Sequence, residues 1–540
     1  MCNLFIGAWG RCCIGMDRFA VVDLFAGPGG LAEGFSSFRS GDIRPFEIHL
    51  SIEKEKSAHA TLLLRSFLRQ FESGFPDEYF QWLNGQTLEP DWRRCYPHEW
   101  ADAEREALNL TLGESEAATI VDRRIRDIRA EFGDRTILVG GPPCQAYSLV
   151  GRARNRGNSG YVPEQDARHY LYREYIRILR RLEPAAFVME NVKGMLSSSV
   201  DGSPIFLRVL ADLRASAGED SYELFALAPG EPSSGLVASG RDFVIRAEDF
   251  GVPQARHRVI VVGLRRDIAD RLPRSARPRL QRRDRRTTVS EVLDAMPPLR
   301  SGIGSGDSAH AWQEAIEDAV GTILRQEPPL SASQVRKFRG RLKVIGSSAA
   351  MAASRPRSAE ETGQAGIRCA ADLERWLRHP KLRTLPNNET RSHMASDLAR
   401  YLYAAVFAEI TGTSPKAGQF PEVLAPRHRN WTSGKFADRF RVQVRDQPSS
   451  TVTSHISKDG HYFIHPDPIQ CRSLTVREAA RLQTFPDDYL FRGNRTQQFV
   501  QVGNAVPPFL ALQIADALWT ALSACAAATP DCAPVLADVS

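Results

Sequence analysis

Between residues 19 and 264 the chain alternates short apolar runs with amphipathic ones, and this rhythm limits the fold more than any other feature. Six runs have the length and the β-branched or aromatic content of strands: 19–25, 46–52, 136–139, 185–189, 222–227 and 259–264. Segments between them, such as 57–71, 169–182 and 205–215, have helical spacing. Strand–helix alternation of this kind predicts an α/β fold, a doubly wound Rossmann-like sheet with helices on both faces. Ligands of such sheets bind beyond the carboxyl ends of the strands, so chemistry is expected in the residues that follow each strand.

Two strand ends stand out. After 136–139 comes Gly140-Gly141-Pro142-Pro143-Cys144-Gln145, which puts a cysteine on a proline-stiffened loop. A free thiol has a pKa of about 8.5 and is mostly protonated at neutral pH, yet cysteine is a strong nucleophile. An isolated cysteine is more often a small buried hydrophobe, but one between prolines and a glutamine is poorly suited to core packing. The strand near Phe187 ends in Glu190-Asn191-Val192. A thiol and a carboxylate on neighbouring strand ends suggest a nucleophile working beside an acid.

The first strand runs into Phe25-Ala26-Gly27-Pro28-Gly29-Gly30, and Gly27, Gly29 and Ala32 fit the loose nucleotide-binding spacing G-x-G-x-x-G/A. Glu53 ends the second strand, where a carboxylate can accept both hydroxyls of a ribose. In Arg126-Asp127-Ile128, Asp127 could accept from an adenine amine, with Ile128 beside it. Together these residues suggest an adenosine-bearing cofactor, either NAD or S-adenosylmethionine.

Bulk properties exclude several classes. No stretch reads as long and apolar enough to span a membrane; the most apolar, 509–528, is interrupted by Gln513 and Asp516. Nine cysteines in 540 residues include no Cys-x-x-Cys pair, so neither a zinc site nor a disulfide framework is indicated, and no metal is expected. A reducing, cytoplasmic setting fits that usage. Residues 1–16 have one basic residue and no clear cleavage site, and read as a leader or a mis-assigned start. The net charge of +6 is uneven: residues 264–300 hold eleven arginines against five acidic residues, as a polyanion contact would require, although a solvated linker would look the same.

The ordered set of motifs points further. Gly-Pro-Pro-Cys144-Gln, Glu190-Asn191-Val192 and Gln254-Ala255-Arg256-His257-Arg258 are followed, after a long variable segment, by Arg477-Glu478-Ala479-Ala480-Arg481-Leu482-Gln483 and Gln501-Val502-Gly503-Asn504-Ala505-Val506. This series resembles the DNA cytosine-5 methyltransferases, especially those of bacterial restriction–modification systems, over about 17–264 and 446–523. The resemblance implies S-adenosylmethionine as cofactor. It implies Cys144 as the nucleophile for carbon 6 of cytosine and Glu190 as the acid at ring nitrogen 3. Asn191 would orient the loop, and Arg256 and Arg258 would steady the cytosine and the cysteine loop. Phe25, Gly27, Gly29, Gly30, Glu53, Asp127, Ile128, Pro143 and Asn504 fall on cofactor positions. Lys54 stands where some members carry an aromatic that stacks on adenine.

The implied layout is a catalytic domain over 17–264 that is completed by 446–540 folding back onto it, with a second, irregular target-recognition domain over 265–445. Thr384-Leu385, 387–400 and 427–441 are candidates for DNA reading there. The arginine- and glycine-rich loop 149–165 is expected to close over duplex DNA. A monomer is expected, functionally paired with a restriction endonuclease. The rivals are an RNA cytosine-5 methyltransferase, although the Cys-Phe-Thr motif of the tRNA-directed enzymes is missing, a catalytically silent DNA-binding relative, and a nicotinamide dehydrogenase.

Overall fold

The computed structural model describes residues 18–143, 171–197, 199–200, 203–228, 240–304, 306–358, 367–426, 431 and 438–527. Its centre is a sheet built from β1 (Phe19–Leu24), β2 (Phe46–Ile52), β3 (Ala107–Leu108), β4 (Thr136–Gly140), β5 (Ala186–Val192), β6 (Tyr222–Phe225), β7 (Val244–Arg246) and β8 (His257–Arg265). The strand order is β3-β2-β1-β4-β5-β8-β6, with β7 pairing onto β8. The pairs β1–β2, β2–β3, β1–β4 and β4–β5 are parallel, whereas β8 runs antiparallel to β5 and β6. Every residue of β1 and β4 is buried, because helices cover both faces.

The alternation along β1 sorts its side chains into two cores. Phe19 and Val21 pack with helix α1 (Gly30–Ser37), while Ala20, Val22 and Leu24 face the other side. There they meet α4 (Ser115–Phe132), α5 (Leu171–Leu182) and α6 (Ile205–Arg214). Between β2 and β3 lie α2 (Lys56–Arg69), α3 (Asp77–Leu83) and a further helix, Pro97–Glu106. Residues 72–106 thus form mostly a helical cap, whose Tyr79, Phe80 and Trp92 pack in an aromatic cluster with Phe67 of α2. The expected insertion 72–118 also hides the two-residue strand β3.

The middle region is more regular than its composition suggests. Helices α7 (Ala309–Leu324), α8 (Ala332–Ser347) and α9 (Ala395–Thr411) share a core around Trp312, Phe338 and Tyr401. Alanine-rich and arginine-rich helices leave little apolar periodicity in the sequence, so the segment reads as irregular. A second cluster joins Val289, Val292 and residues 367–385 to the C-terminal segment around Phe485 and Phe499. That segment carries α10 (Val476–Leu482), α11 (Arg495–Asn504) and α12 (Pro508–Ala527).

The C-terminal segment does return to the first glycine loop. A Cβ at Gly30 would lie 2.3 Å from the carbonyl oxygen of Val506, and one at Gly34 would lie 2.4 Å from the Ala511 side chain. Only glycine permits α1 and α12 to approach so closely. The sequence-based exclusion of a membrane span needs correction on length: α11 and α12, broken only at 505–507, together make a run long and apolar enough to cross a bilayer. Its Leu510, Ile514 and Leu518 are buried in the sheet core instead.

Most of the arginine-rich stretch 264–300 is consumed internally. Arg265 pairs with Asp134, Arg266 with Asp220, Arg283 with Asp372, Arg285 with Glu291, Arg286 with Asp249 and Arg300 with Asp307. These arginines bind segments of the chain together, which leaves few of them for a polyanion.

Candidate active site

The strand order reverses between β1 and β4, and the glycine loop after β1 and the Gly-Pro-Pro loop after β4 both leave the sheet at this switch point. Gly140 must be glycine here: a Cβ would lie 2.5 Å from the carbonyl oxygen of Leu24. Cys144, Gln145 and the loop 149–165 lie outside the described residues. Pro143 is the last described residue before the cysteine.

Glu190 and Asn191, at the end of β5, both turn toward this loop. The Asn191 side-chain amide donates to the carbonyl of Pro142 at 3.0 Å, and its oxygen accepts from the peptide N–H of Val192 at 2.8 Å. Asn191 is buried, so it ties the two proline residues to β5 at a fixed distance. A Cβ on Gly141 would lie 3.0 Å from Glu190 Oε2, so the glycine keeps that oxygen uncrowded.

Arg258 arrives from β8. The antiparallel register sets it opposite Val192, and its Nε lies 2.9 Å from Glu190 Oε1. The side chains are 15% and 14% exposed, which shelters the pair from bulk water while leaving a reachable face. A guanidinium on one carboxylate oxygen fixes the rotamer and leaves the other oxygen toward the Gly141–Pro143 loop.

Arg256 is placed differently. It is 2% exposed, its Nη1 donates to the carbonyl of Val452 at 2.9 Å, and both Nη atoms reach the carbonyl of Gly503 at 3.3 and 3.4 Å. Burial drives its pKa well below the ordinary arginine value, and the nearby charge of Arg258 adds to this, against the pull of Glu190. Both Nη groups donate to the returning C-terminal segment, while the buried Nε has no partner among the described residues, so its geometry is that of a brace across the seam.

The cofactor candidates separate into three groups. Phe25, Gly27 and Glu53 come together: Phe25 and Gly27 both have φ of +58°, and Gly27 N donates to Glu53 Oε2 at 2.9 Å. Glu53 Oε1 accepts from the peptide N–H of Glu55 at 2.7 Å. A carboxylate has about four acceptor positions, so two remain for ribose hydroxyls. A Cβ at Gly27 would meet nothing within 4 Å, so its surface is open space of the kind a ligand can occupy. This cradle fits an adenosine-bearing cofactor.

Gly29 and Gly30 serve packing. A Cβ at Gly29 would lie 2.9 Å from Leu62 and 3.0 Å from the Tyr489 hydroxyl, which itself donates to the carbonyl of Pro28. Asn504, the exposed last residue of α11, stands two residues before the Val506 carbonyl that closes on Gly30.

Asp127 and Ile128 do not join the cradle. Both lie on α4, about 18 Å along the helix axis from its first residue, Ser115, at ~1.5 Å per residue. Asp127 is exposed and Ile128 is core, 2% exposed among the side chains between α4 and the sheet. The residue that does reach Glu53 is Asn109, directly after β3, whose side-chain amide donates to the carbonyls of Glu53 at 2.8 Å and Lys54 at 3.1 Å. The signal was the short run Ala107-Leu108 before Asn109, obscured by its acidic and helical surroundings.

Asp23 was also overlooked. It is fully buried in β1, and neither of its carboxylate oxygens makes a well-formed hydrogen bond. Burial pushes its carboxyl up to about 8, against partial relief from Arg69 and the peptide of Ala32.

Among the DNA-reading candidates, Thr384 docks on the helical cap: its hydroxyl donates to the carbonyl of Leu83, and Asn84 Oδ1 accepts from the peptides of Arg383 at 2.7 Å and Thr384 at 3.2 Å. Beside it lies a polar cavity of about 800 Å³ bordered by Gln86, Arg383, Asn388, Arg495 and Gln498. Asn388 is 3% exposed, and its amide nitrogen has no hydrogen-bond partner among the described residues. Residues 427–430 and 432–437 lie outside the described residues. Among the described residues no group of three or more His, Cys, Asp or Glu could hold a metal ion.

Residues 109–301 and 371–520 match the family model of the C-5 cytosine-specific DNA methylases. The type II methyltransferase M.Bpa9945I of Bacillus paralicheniformis is 32% identical over 516 residues, covering 92% of this chain and 98% of its own. The type II methyltransferase M.AgeI of Thalassovita gelatinovora is 27% identical, covering 93% and 99%. The DNA (cytosine-5-)-methyltransferase M.ApeKI of Aeropyrum pernix is 27% identical, covering 72% and 82%. The chain, an α/β protein with a mostly parallel central sheet, belongs to the C-5 cytosine-specific DNA methylase family and is a methyltransferase.

Proposed function

We propose that this chain is a site-specific DNA methyltransferase that modifies carbon 5 of a cytosine turned out of duplex DNA, through a covalent adduct of Cys144. The observation that carries this reading is the Glu190–Arg258 pair, held against the loop that leads to Cys144. A target base inside a duplex is out of reach and must be flipped, at a cost of a few kcal/mol.

In this reading the Cys144 thiolate adds to carbon 6, forming the S–C6 bond while Glu190 gives a proton to ring nitrogen 3. The electron pair of the C5=C6 bond becomes available at carbon 5. S-adenosylmethionine supplies the methyl group, and Phe25, Gly27, Glu53, Pro143 and Asn504 would hold it. A base, for which water suffices, then takes the carbon-5 proton, the C5=C6 double bond re-forms as the thiolate leaves, and nitrogen 3 returns its proton to Glu190. Asn191 keeps the cysteine loop at its distance from Glu190, and Arg258 fixes the carboxylate.

The polar cavity at Arg383, Asn388 and Gln498 offers the amide and guanidinium groups that read base edges. The relatives' names, type II methyltransferases, support a restriction–modification setting; in this reading the enzyme is a cytoplasmic monomer paired with an endonuclease. The test is a duplex carrying 5-fluorocytosine, incubated with protein and S-adenosylmethionine. A trapped adduct that is lost in Cys144→Ala is expected; none, or one that survives the substitution, would overturn the nucleophile assignment. Methyl transfer to tRNA in preference to duplex DNA would support the RNA alternative.

A further inference from the structure

Residues 328–359 contain seven arginines and lysines and no aspartate or glutamate, so this stretch alone carries +7 while the entire chain carries +6. It falls within residues 302–370, which the family model leaves unmatched. Five of the seven cations lie on α8: Arg336, Lys337, Arg339, Arg341 and Lys343.

Helical geometry divides them. Phe338, Leu342 and Ile345 are buried against α7 and α9, and define the inner face. Arg339 and Arg341, on the flanks, are taken up by Glu327 at 3.2 Å and Glu409 at 3.0 Å. Arg336, Lys337 and Lys343 are exposed, point away from the core and make no ion pair among the described residues. This contrasts with the arginines of 264–300, most of which are neutralised by the chain itself.

At the centre of the same outer face is Gly340. A Cβ there would meet nothing within 4 Å, so no internal contact requires glycine. Glycine inside a helix weakens it, and one use of such a position is close approach by another molecule. Arg336, Gly340, Lys343 and Ser347 follow one another at helical spacing along this face.

We propose that the outer face of α8 lies against the sugar–phosphate backbone of duplex DNA outside the recognised sequence, with Arg336, Lys337 and Lys343 on phosphates and Gly340 at the closest approach. Backbone contacts of this kind position a protein without reading sequence. They would extend the footprint of the enzyme beyond the bases it recognises. The inference rests on the DNA-methylating function proposed above.

The experiment uses the full chain and duplexes that carry the methylated site, located by bisulfite sequencing, with short or long flanks. Each phosphate contact contributes about 0.9 to the slope of log K against log salt, so three contribute about 2.7. On long duplexes, the triple variant Arg336→Gln, Lys337→Gln, Lys343→Gln is expected to show a slope less negative by about 2 to 3. On duplexes too short to reach α8 it should match the parent, and the methylated sequence should not change. Gly340→Glu is the second variant; glutamate favours helix over glycine, so a loss of long-duplex affinity would report the lost approach rather than unfolding. Equal slopes for parent and triple variant on long duplexes would overturn the inference, whether the face then serves RNA or an acidic protein. Failure of the parent to methylate any duplex would instead overturn the function on which it rests.

Discussion

Arg256 and Arg258 are two residues apart, and the structure separates their roles in a way that one set of variants can test. Arg256 holds the carbonyls of Val452 and Gly503 from a fully buried position, at 2.9 Å and at 3.3 to 3.4 Å. Removing it takes one good donor from Val452 and two long ones from Gly503. An orphaned buried polar group costs about 1–3 kcal/mol. Burial opposes the charge of Arg256, so its removal also relieves a desolvation penalty. The net for Arg256→Met is a loss of about 2 kcal/mol, with Arg256→Gln milder because its amide still donates to one carbonyl. Gly503 precedes Asn504 beside the glycine loop, so part of this loss should appear as weaker cofactor binding, up to about tenfold for 1.4 kcal/mol. Urea denaturation and titration calorimetry with S-adenosylmethionine measure the two effects. At saturating cofactor, kcat should fall by less than in Arg258→Met. Unchanged stability and cofactor affinity, together with a hundredfold or greater fall in kcat, would refute the reasoning and put Arg256 on the reacting atoms.

Three further outcomes are expected. Glu190→Gln should lower kcat by about 10²–10⁴ while leaving DNA binding and thermal unfolding unchanged, since it removes a proton donor and keeps the shape; near-parental turnover in single-turnover assays would remove Glu190 from the chemistry. Asp23, pushed up to about 8, is neutral in the folded protein at pH 7 but ionised when unfolded. Folding therefore takes up a proton, and stability is full below the unfolded value and declines as pH rises from about 4 to about 8. Asp23→Asn should flatten that part of the unfolding profile, and a variant with the parental slope would show that Asp23 is not the group responsible. Gly30→Ala puts a Cβ 2.3 Å from the Val506 carbonyl and should cost about 1–3 kcal/mol in urea denaturation, with lower cofactor affinity; parental stability would mean that α1 and α12 can move apart freely.

The legible parts of the fold were those in which local pattern and burial coincide. β2 falls on the expected 46–52, because its apolar residues pack on a covered sheet and turn residues bound it. β3 was not legible: two residues carry no periodicity, and parallel pairing with Ser51 and Ile52 is all that defines the strand. The expectation therefore went to Asp127, on the outside of α4, whereas the side chain the structure sets against the Glu53 and Lys54 backbone is that of Asn109. Helices α7 and α8 were missed because alanine and arginine blur the apolar stripe that Trp312 and Phe338 form only once packed.

The amino-acid sequence by itself determined the order of the candidate groups: a thiol after β4, an acid and an amide at the end of β5, two arginines at β8, and a glycine loop after β1. These follow from residue type and from strand ends, which are local properties. Tertiary structure alone decided which of equivalent residues does what. Of the glycines in the loop, Gly27 faces open space whereas Gly29 and Gly30 are filled by Leu62, Tyr489 and Val506 from distant parts of the chain. Period-two alternation would set both arginines on one face of a strand, but the chain kinks at Arg256, whose peptide N–H donates to the carbonyl of Gln254 at 2.8 Å. That turn sends Arg256 into the seam with the C-terminal segment and leaves Arg258 on Glu190. The difference lies in contacts more than 190 residues apart in sequence, which no local pattern can encode.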